Sequence, residues 1–469
     1  MPRPFALVSR DEQLLDEFRS EVATPSDSAV THFTSAEPAA RQALNSADPV
    51  TFLDVRSSAD LQLADDVLQH LMTQPESVVT LIPICDGGYP RELAATLGLL
   101  AAATMQTPFD ESEIAVALQF LSDRHQARSG RKIPPSCSIE AGDLNLTTFT
   151  RDLFPVLDQL VRVASRNVTL LLVGETGSGK TTLGHLIHLL SQRSDKPFHN
   201  VACGALPRDL IESELFGHVR GAFTGADRSK VGRFEAANNG TLLLDEIDIL
   251  GPKEQGKLLK VIESGEFELV GSNETRTSSA RLIVASNVDL DKLAAEDRFR
   301  TDLYYRLNVL EFRLPLLRDR PLDIVQLAMQ FVDECCTEHS IEIETVDLDY
   351  LEAIRRYTWP GNLRELKNHM QRAVLLSSDA RLTVNDLSHV VISAQFEEAA
   401  KQEQKATTEW SLSDRIARSE RQMLDEALSA HNHKRTVTAK ALGLSRVGLY
   451  KKMKKYGMLD SQKETAGVS

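Results

Sequence analysis

The chain has 469 residues, of which 42% are hydrophobic and 26% are charged, and its formal net charge is −14. This length predicts about three domains, each able to bury a core, and the acidic balance argues against a protein that coats nucleic acid along its whole length, so any DNA contact must be local. Five cysteines without a C-x-x-C pair indicate neither a zinc site nor a disulfide framework, and the lack of a signal-peptide pattern or a bilayer-length apolar run predicts a cytoplasmic protein without membrane contact.

Residues 1–122 alternate segments typical of strands with segments typical of helices, which predicts a small doubly wound α/β domain. Three such pairs are 5–8 with 11–22, 50–54 with 59–72, and 78–84 with 91–100. Asp54 ends the predicted central strand, where open α/β sheets place their chemistry. The domain resembles the receiver of two-component response regulators, and Asp54 matches the phospho-acceptor of that family, here as a vestigial one.

Two parts of the receiver pattern are missing. Receivers carry an acidic metal-binding pair after the first strand, where this chain has Ser9–Arg10, and a lysine before a proline, where it has Thr107. Phosphoryl transfer to Asp54 would therefore lose most of its electrostatic support. We favour a degenerate receiver that senses by binding over a working phospho-switch, and a role for Asp54 as a simple strand-end cap is equally compatible with that.

The rest of the chain divides by composition. Residues 123–145, basic and containing Pro134–Pro135, are typical of an exposed linker. A second domain is expected over 146–391, a polar linker over 392–410, and a third domain over 411–461.

A glycine-rich segment in the second domain, GETGSGKT, lies between a predicted strand and a predicted helix and fits the phosphate-binding pattern G-x-x-x-x-G-K-[ST]. Its backbone N–H groups would face a phosphate chain at the positive end of the helix dipole. Lys180 would reach the β- and γ-phosphates, and the Thr181 hydroxyl would bind Mg²⁺. The expected nucleotide-binding residues are Gly174, Glu175, Thr176, Gly177, Ser178, Gly179, Lys180 and Thr181.

A second segment, LLLDEI, predicts a buried strand that ends in two carboxylates. Asp245 can bind Mg²⁺ through its water shell, and Glu246 can polarise an attacking water. Either segment alone is compatible with an ordinary turn, but the two in this order predict a site for ATP and Mg²⁺.

Between these segments the glycines of ELFGHVRGAFTGA interrupt every regular period. The segment predicts a loop that presents an aromatic side chain, and a buried β-bulge is the alternative. The sequence GAFTGA resembles the motif of NtrC-type bacterial enhancer-binding proteins, the AAA+ activators of sigma-54 RNA polymerase. The resemblance implies sigma-54 contact by Gly221, Ala222, Phe223, Thr224, Gly225 and Ala226, with Phe223 and Thr224 at its key positions.

The resemblance extends over nearly all of 146–391 and implies an AAA+ core with a helical lid from about residue 320. Asn287 matches the sensor I position, and Arg364 in WPGNLREL matches sensor II. Arg300 and Arg306 match arginine fingers that reach the nucleotide of a neighbouring subunit, so the chain is expected to form a homo-oligomer that goes from dimer to ring, expected to be a hexamer. Without the resemblance, Asn287 would suggest only the start of a turn, and the arginines would suggest only surface residues.

The chain departs from this family at two positions. Thr181 stands where the family has glutamate, and Ala202 aligns with an asparagine that holds the catalytic glutamate. Because alanine has no amide, the coupling of Glu246 to the 221–226 loop is expected to use another residue, with Asn200 the nearest candidate, or to be looser.

The C-terminal segment 411–461 contrasts with the acidic whole because 431–459 has basic residues and no acidic one. Its pattern predicts an all-α helix-turn-helix and resembles Fis-type DNA-binding domains, with a solvated basic tail as the alternative. The second helix would enter the major groove and the lysines would contact phosphate. The expected DNA-binding residues are Lys434, Arg435, Ser445, Arg446, Val447, Gly448, Lys451 and Lys452.

Together these features predict a multidomain α/β activator that binds enhancer DNA as a dimer on a palindromic site, assembles, and uses ATP hydrolysis to open a sigma-54 promoter complex. The alternative is a DNA-binding regulator in which ATP only sets the oligomeric state. A helicase or a small-molecule kinase shares the phosphate-binding loop but explains neither GAFTGA nor the basic tail.

Overall fold

The structure is a computed structural model that describes residues 5–20, 30–44, 50–109, 131–377, 379–388, 391 and 438. The chain forms two compact units, Met1–Ile392 and Ser393–Ser469. Apart from Thr438, the predicted helix-turn-helix lies outside the described residues, as do all of its predicted DNA-binding residues. None of the described helices is long and apolar enough to span a membrane.

The N-terminal part is a sheet covered by helices. Its elements are β1 (Phe5–Val8), α1 (Glu12–Phe18), β2 (Val30–Phe33), α2 (Ala36–Leu44), β3 (Val50–Asp54), α3 (Ser58–Met72), β4 (Val78–Cys85), β5 (Tyr89–Pro90), α4 (Arg91–Leu100), β6 (Met105–Gln106) and β7 (Arg131–Lys132). Strands β2-β1-β3-β4-β6 are parallel in that order, and β7 adds antiparallel to β4. Phe5, Phe18 and Phe52 pack edge to face in the core, and the predicted doubly wound fold is confirmed.

The sequence pattern missed β2 and α2. Strand β2 is only half-buried, and the buried side chains of α2 are all alanines. Neither segment therefore carries the large buried apolar side chains on which the prediction depended.

The second region is a three-layer α/β domain. Its elements are β8 (Cys137–Ala141), β9 (Leu144–Thr148), α5 (Phe154–Ala164), β10 (Leu170–Val173), α6 (Lys180–Leu189), β11 (Phe198–Ala202), α7 (Arg208–Phe216), β12 (Gly217–His218), β13 (Lys230–Val231), α8 (Arg233–Ala236), β14 (Thr241–Asp245), α9 (Pro252–Ser264), β15 (Glu266–Glu268), β16 (Thr275–Thr277), β17 (Arg281–Ser286), α10 (Leu290–Ala295), α11 (Thr301–Leu307) and β18 (Glu311–Arg313). Parallel strands in the order β11-β14-β17-β10-β18 form its central sheet. Alternate side chains of β14 enter opposite cores: Leu242 and Leu244 face one layer, and Leu243 faces the other.

The expected linker is partly folded, so the prediction of an exposed linker is wrong over 131–145. Arg131–Lys132 pair with Val78–Val79 as β7, and β8 and β9 form a hairpin. Ile139 and Leu144 of this hairpin pack on the core formed by α5 and α6. The basic residues and prolines in this segment favoured a linker, and the alternation of apolar and polar residues in these short strands was too brief to predict them.

A helical lid follows the central sheet. Its elements are α12 (Pro321–His339), β19 (Thr345–Val346), α13 (Leu348–Arg356), α14 (Asn362–Leu376) and β20 (Arg381–Leu382). Short 3₁₀ turns lie at Arg151–Leu153, Cys203–Ala205, Ile247–Ile249, Leu317–Asp319 and Val384–Asp386. Strand β5 of the N-terminal part pairs antiparallel with β19, and Arg91 forms a salt bridge with Asp333 of α12. The N-terminal part thus contributes a strand to the sheet of the lid.

Candidate functional site

The phosphate-binding loop joins β10 to α6 at the carboxyl edge of the central sheet. Gly177 and Gly179 have φ of 78° and 101°, values that favour glycine, and α6 begins at Lys180. Lys180 Nζ donates to the carbonyl oxygens of Gly174 (2.7 Å) and Glu175 (3.0 Å). Burial lowers the pKa of Lys180, although nearby carboxylates oppose that shift. The lysine is held over the loop, where a phosphate would meet it.

The two carboxylates at the end of the acidic strand lie beside this loop because only β17 separates β14 from β10 in the sheet. Asp245 Oδ2 accepts from Thr181 Oγ1 at 3.2 Å. A hydroxyl and a carboxylate are the hard oxygen ligands that Mg²⁺ prefers, together with substrate phosphates and water. No group of three or more His, Cys, Asp or Glu able to hold a metal occurs among the described residues. A magnesium ion here would therefore depend on the nucleotide for its remaining ligands.

Asn287 links the lysine to the second carboxylate. Its Oδ1 accepts from Lys180 Nζ at 2.6 Å, and its Nδ2 donates to Glu246 Oε1 at 3.2 Å. Glu246 has a left-handed backbone, with φ 58°, and such strain in a non-glycine residue is frequent at functional sites. The Glu246 carboxylate also needs a glycine at position 204, because a Cβ there would overlap it.

The amide of Asn287 and the gap at Gly204 thus position Glu246. Asn200, the candidate suggested by the sequence, is exposed on β11, and no hydrogen bond joins it to Glu246 within the described ranges. The structure therefore does not support Asn200 as the residue that holds Glu246, since the amide that contacts this carboxylate is that of Asn287; the coupling of Glu246 to the 221–226 loop stays a prediction.

A cavity of about 540 Å³ opens above the loop. Its lining combines apolar side chains from the hairpin, α5 and the lid, which suit a nucleobase, with charged groups from the loop, the acidic strand and the lid. Its lining includes Leu144, Leu146, Leu153, Val156, Leu157, Lys180, Thr181, Asp245, Glu246, Asn287, Arg320, Leu327, Phe331 and Arg364.

Arg320 lines this cavity and was not singled out by the sequence. The residue is 7% exposed, and its Nε and one Nη have no hydrogen-bond partner. Burial lowers the pKa of its guanidinium. A buried cation with unsatisfied donors favours an anionic or acceptor-rich ligand. No local motif marks Arg320, because its role depends on packing against distant segments.

Two predicted residues do not reach the cavity. Arg300 forms a two-point salt bridge with Asp302, with distances of 3.0 and 2.7 Å, and Arg306 pairs with Glu263 of α9 at 3.1 Å. Both side chains are about half exposed. Within one chain these arginines are separate from the site formed by Lys180 and Glu246.

The GAFTGA segment forms an exposed loop between β12 and β13. Gly221 and Gly225 have positive φ, and a side chain at either would meet nothing within 4 Å. Gly221 N donates to Ala226 O at 2.8 Å and closes the loop. The Phe223 ring stands edge to face with His218 at 5.0 Å, whereas Thr224 is exposed. The exposed tip rules out the buried β-bulge.

Asp54 is buried at the end of β3, and both of its oxygens are engaged. Oδ1 accepts from Arg56 Nε at 2.9 Å, and Oδ2 accepts from Ser9 Oγ at 2.8 Å. The hydrogen bond with Asp54 raises the pKa of Arg56. Arg56, missed in the sequence, provides the positive charge next to Asp54. This arrangement supports the degenerate receiver, and phosphorylation of Asp54 stays a prediction.

Replacing Arg56 by alanine should destabilise the N-terminal sheet by about 3 kcal/mol, because the buried Asp54 carboxylate loses its counter-ion. Native-state hydrogen exchange at Val8 and Leu53, which pair in β1 and β3, measures the local opening free energy. Arg56→Lys should lower the opening free energy less, because the lysine keeps a positive charge. Solvent-exposed salt bridges contribute at most about 1 kcal/mol. A decrease in opening free energy below that value in the alanine variant would contradict this account.

A parallel five-stranded sheet, a phosphate-binding loop at its carboxyl edge and a helical lid define a P-loop protein of the AAA+ class. Residues 146–313 match the sigma-54 interaction domain, 318–404 match the AAA+ ATPase lid domain, and 415–456 match the bacterial regulatory protein Fis family. The chain belongs to the family of sigma-54-dependent transcriptional activators, as predicted. In this family the matched domain binds nucleotide and is an ATPase domain.

Individual relatives agree with this assignment. The regulatory protein AtoC of Escherichia coli (strain K12) is 36% identical over 75% of this chain and 76% of its own length. A Nif-specific regulatory protein of Azotobacter vinelandii is 44% identical over a matched segment that spans 49% of this chain and 44% of that protein. NtrX from Brucella abortus, solved with ADP, shares the fold at 24% identity with a TM-score of 0.50, covering 97% of this chain and all of that one. The relatives favour the activator over the alternative regulator.

Proposed function

We propose that this activator hydrolyses ATP and uses the energy to convert a closed sigma-54 RNA polymerase promoter complex into an open one. The observation that carries the proposal is the convergence of Lys180, Thr181, Asp245, Glu246 and Asn287 on one cavity, in a chain that also carries the GAFTGA sequence on a loop with an exposed tip. The proposed domains are 1–122, 146–391 and 411–461, joined by 123–145 and 392–410, although part of the first joining segment is folded.

In the proposed reaction ATP lies with its base among the apolar side chains and its phosphates over the loop. Lys180 binds the β- and γ-phosphates, and the loop N–H groups hold the chain in place. Thr181 and Asp245 would hold Mg²⁺, which neutralises charge on the phosphates. Glu246 orients and polarises the attacking water. Asn287 and Arg364 contact the region of the γ-phosphate.

Arg300 and Arg306 are proposed to act on the nucleotide of a neighbouring subunit, where a guanidinium stabilises charge that develops on the γ-phosphate. Their exposure and their distance from the chain's own cavity support this role. A ring, expected to be a hexamer, would place each pair at the next site. The 411–461 domain would bind enhancer DNA as a dimer.

Mixing two inactive variants should restore hydrolysis if sites are shared between subunits. Arg300→Ala removes a finger and should lower turnover about 10³-fold, and Lys180→Ala removes nucleotide contact. A mixture should regain measurable phosphate release, because some interfaces then pair an intact Lys180 with an intact Arg300. Arg298→Ala, an exposed neighbour paired with Glu296, is the control. A mixture that co-assembles but stays inactive would contradict shared sites.

Open-complex formation tests the proposed function directly. The full chain with ATP, sigma-54 RNA polymerase and a promoter carrying an upstream enhancer should yield heparin-resistant open complexes detectable by permanganate reactivity. ADP should yield none. An absence of open complexes with ATP, under conditions where the chain binds its enhancer and hydrolyses ATP, would reject the proposal.

A further inference from the structure

Asn362 is a fully buried residue at the start of α14, in the turn that follows Trp359 and Pro360. Its φ is 51°, in the left-handed region that asparagine tolerates better than most residues with a side chain. A buried polar side chain in this conformation needs hydrogen-bond partners to be stable. Those partners belong to two other segments of the chain.

One amide group joins three parts of the ATPase region. Asn362 Oδ1 accepts from the backbone N–H of Leu317 at 2.9 Å, in the 3₁₀ turn before the lid. Its Nδ2 donates to Thr176 O at 3.2 Å and to Glu175 Oε2 at 3.3 Å, both in the phosphate-binding loop. The phosphate-binding loop, the entrance to the lid and α14 therefore meet at a single side chain.

The backbone strengthens the same connection. Leu363 N donates to Gly177 O at 2.9 Å, and a Cβ at Gly177 would overlap Gly361 O. The lid thus binds carbonyl groups of the loop whose N–H groups face the phosphate chain. A peptide group that rotates to meet phosphate also turns its carbonyl, so these bonds must move with it or break.

We propose that Asn362 is a positioning residue that transmits the conformation of the phosphate-binding loop to the lid. The inference rests on the proposed function in one respect only, that the loop binds nucleotide. Asn362 can report on the peptide group that follows Thr176, whose carbonyl it binds, because the cost of leaving a buried amide unsatisfied favours concerted motion. Without this side chain, nucleotide would still bind, and the lid would no longer follow it.

A tryptophan three residues before Asn362 can report the packing of the lid by its fluorescence. Trp359 is fully buried, donates from Nε1 to Ile354 O at 2.8 Å, and packs edge to face with Tyr357 and His369. The sequence contains two tryptophans, Trp359 and Trp410. In full-length chain carrying Trp410→Phe, the emission of Trp359 reports the packing of the lid.

The test compares three variants in that background. Asn362→Gly suits the positive φ and removes every side-chain bond. Asn362→Asp keeps the size and the acceptor for Leu317 N but loses both donors to the loop. Asn368→Ala, an exposed position on the same helix, is the control. Each variant is titrated with ADP and Mg²⁺, with affinity measured by calorimetry and lid response by Trp359 emission.

We expect both Asn362 variants to bind ADP within about tenfold of the parent, since the bonds lost from Nδ2, a neutral one to Thr176 O and one to the Glu175 carboxylate, join parts of the protein to each other. Their Trp359 response at saturation should be lost, while the parent and Asn368→Ala respond fully. A full response in a folded Asn362 variant, or a parent that binds ADP without a response, would overturn the inference alone. A parent that binds no ADP would overturn the proposed function, and the inference with it. If the glycine variant does not fold, the near-isosteric aspartate variant decides.

Discussion

Replacing Glu246 by glutamine should stop ATP hydrolysis and leave ATP binding intact. The Glu246 carboxylate lies in the cavity beside the loop, where it can accept a proton from water. Glutamine has the same shape and still offers an oxygen to Asn287 Nδ2, so the site should keep its geometry. Turnover should fall about 10²- to 10⁴-fold, the usual contribution of a general base.

Phosphate release at saturating ATP measures the rate, and calorimetry on the same preparation measures affinity. Glu254→Gln changes a partly exposed carboxylate at the start of α9, outside the cavity lining, and should leave both values unchanged. If Glu246→Gln hydrolyses ATP at the parent rate, the base lies elsewhere. If it binds ATP without hydrolysis and still activates fully, the hydrolysis-driven mechanism is wrong.

The sequence predicted those parts of the site that depend on local spacing. The phosphate-binding loop needs its glycines and Lys180 within eight residues, and the acidic strand needs three leucines before Asp245. Parallel strands then bring both segments to one edge, which explains why the Thr181–Asp245 contact follows from the motif order. The family assignment depended on the same contiguous motifs and was confirmed.

What the sequence could not predict depends on contacts between distant segments. Asn362 contacts Thr176, 186 residues away, and Arg320 becomes a cavity residue only through packing. Arg56 lies two residues after Asp54, but its importance depends on a bidentate contact that no motif encodes. Gly204 matters only because the Glu246 carboxylate occupies the space of its absent side chain.

The contact that holds Glu246 also involves the lysine of the phosphate-binding loop. Ala202 pairs with Asp245 across β11 and β14 and has no amide to hold Glu246. The amide that contacts Glu246 is that of Asn287, which also binds Lys180. In the proposed mechanism, a γ-phosphate that displaced Lys180 would therefore also change the hydrogen bonding of the residue that contacts Glu246.

Replacing Thr224 by alanine should abolish open-complex formation while ATP hydrolysis continues. Thr224 is exposed at the tip of the loop between β12 and β13, and Gly221 and Gly225 on either side have open space around them. Its side chain supports no other part of the described fold, so its loss should not disturb the ATP site. A hydroxyl and a methyl at an exposed tip can instead supply contacts to a partner protein.

Phosphate release should stay within about twofold of the parent. Substitutions of exposed residues usually change the free energy of unfolding by no more than about 0.5 kcal/mol, so the ATP site should stay folded. Permanganate reactivity of the promoter should fall to the level seen without ATP. Ser229→Ala removes another exposed hydroxyl from the same β12–β13 connection and should leave activation unchanged. Full activation by Thr224→Ala would show that Thr224 is not needed for the sigma-54 contact, and a parallel loss of hydrolysis would show that Thr224 acts on the ATP site itself.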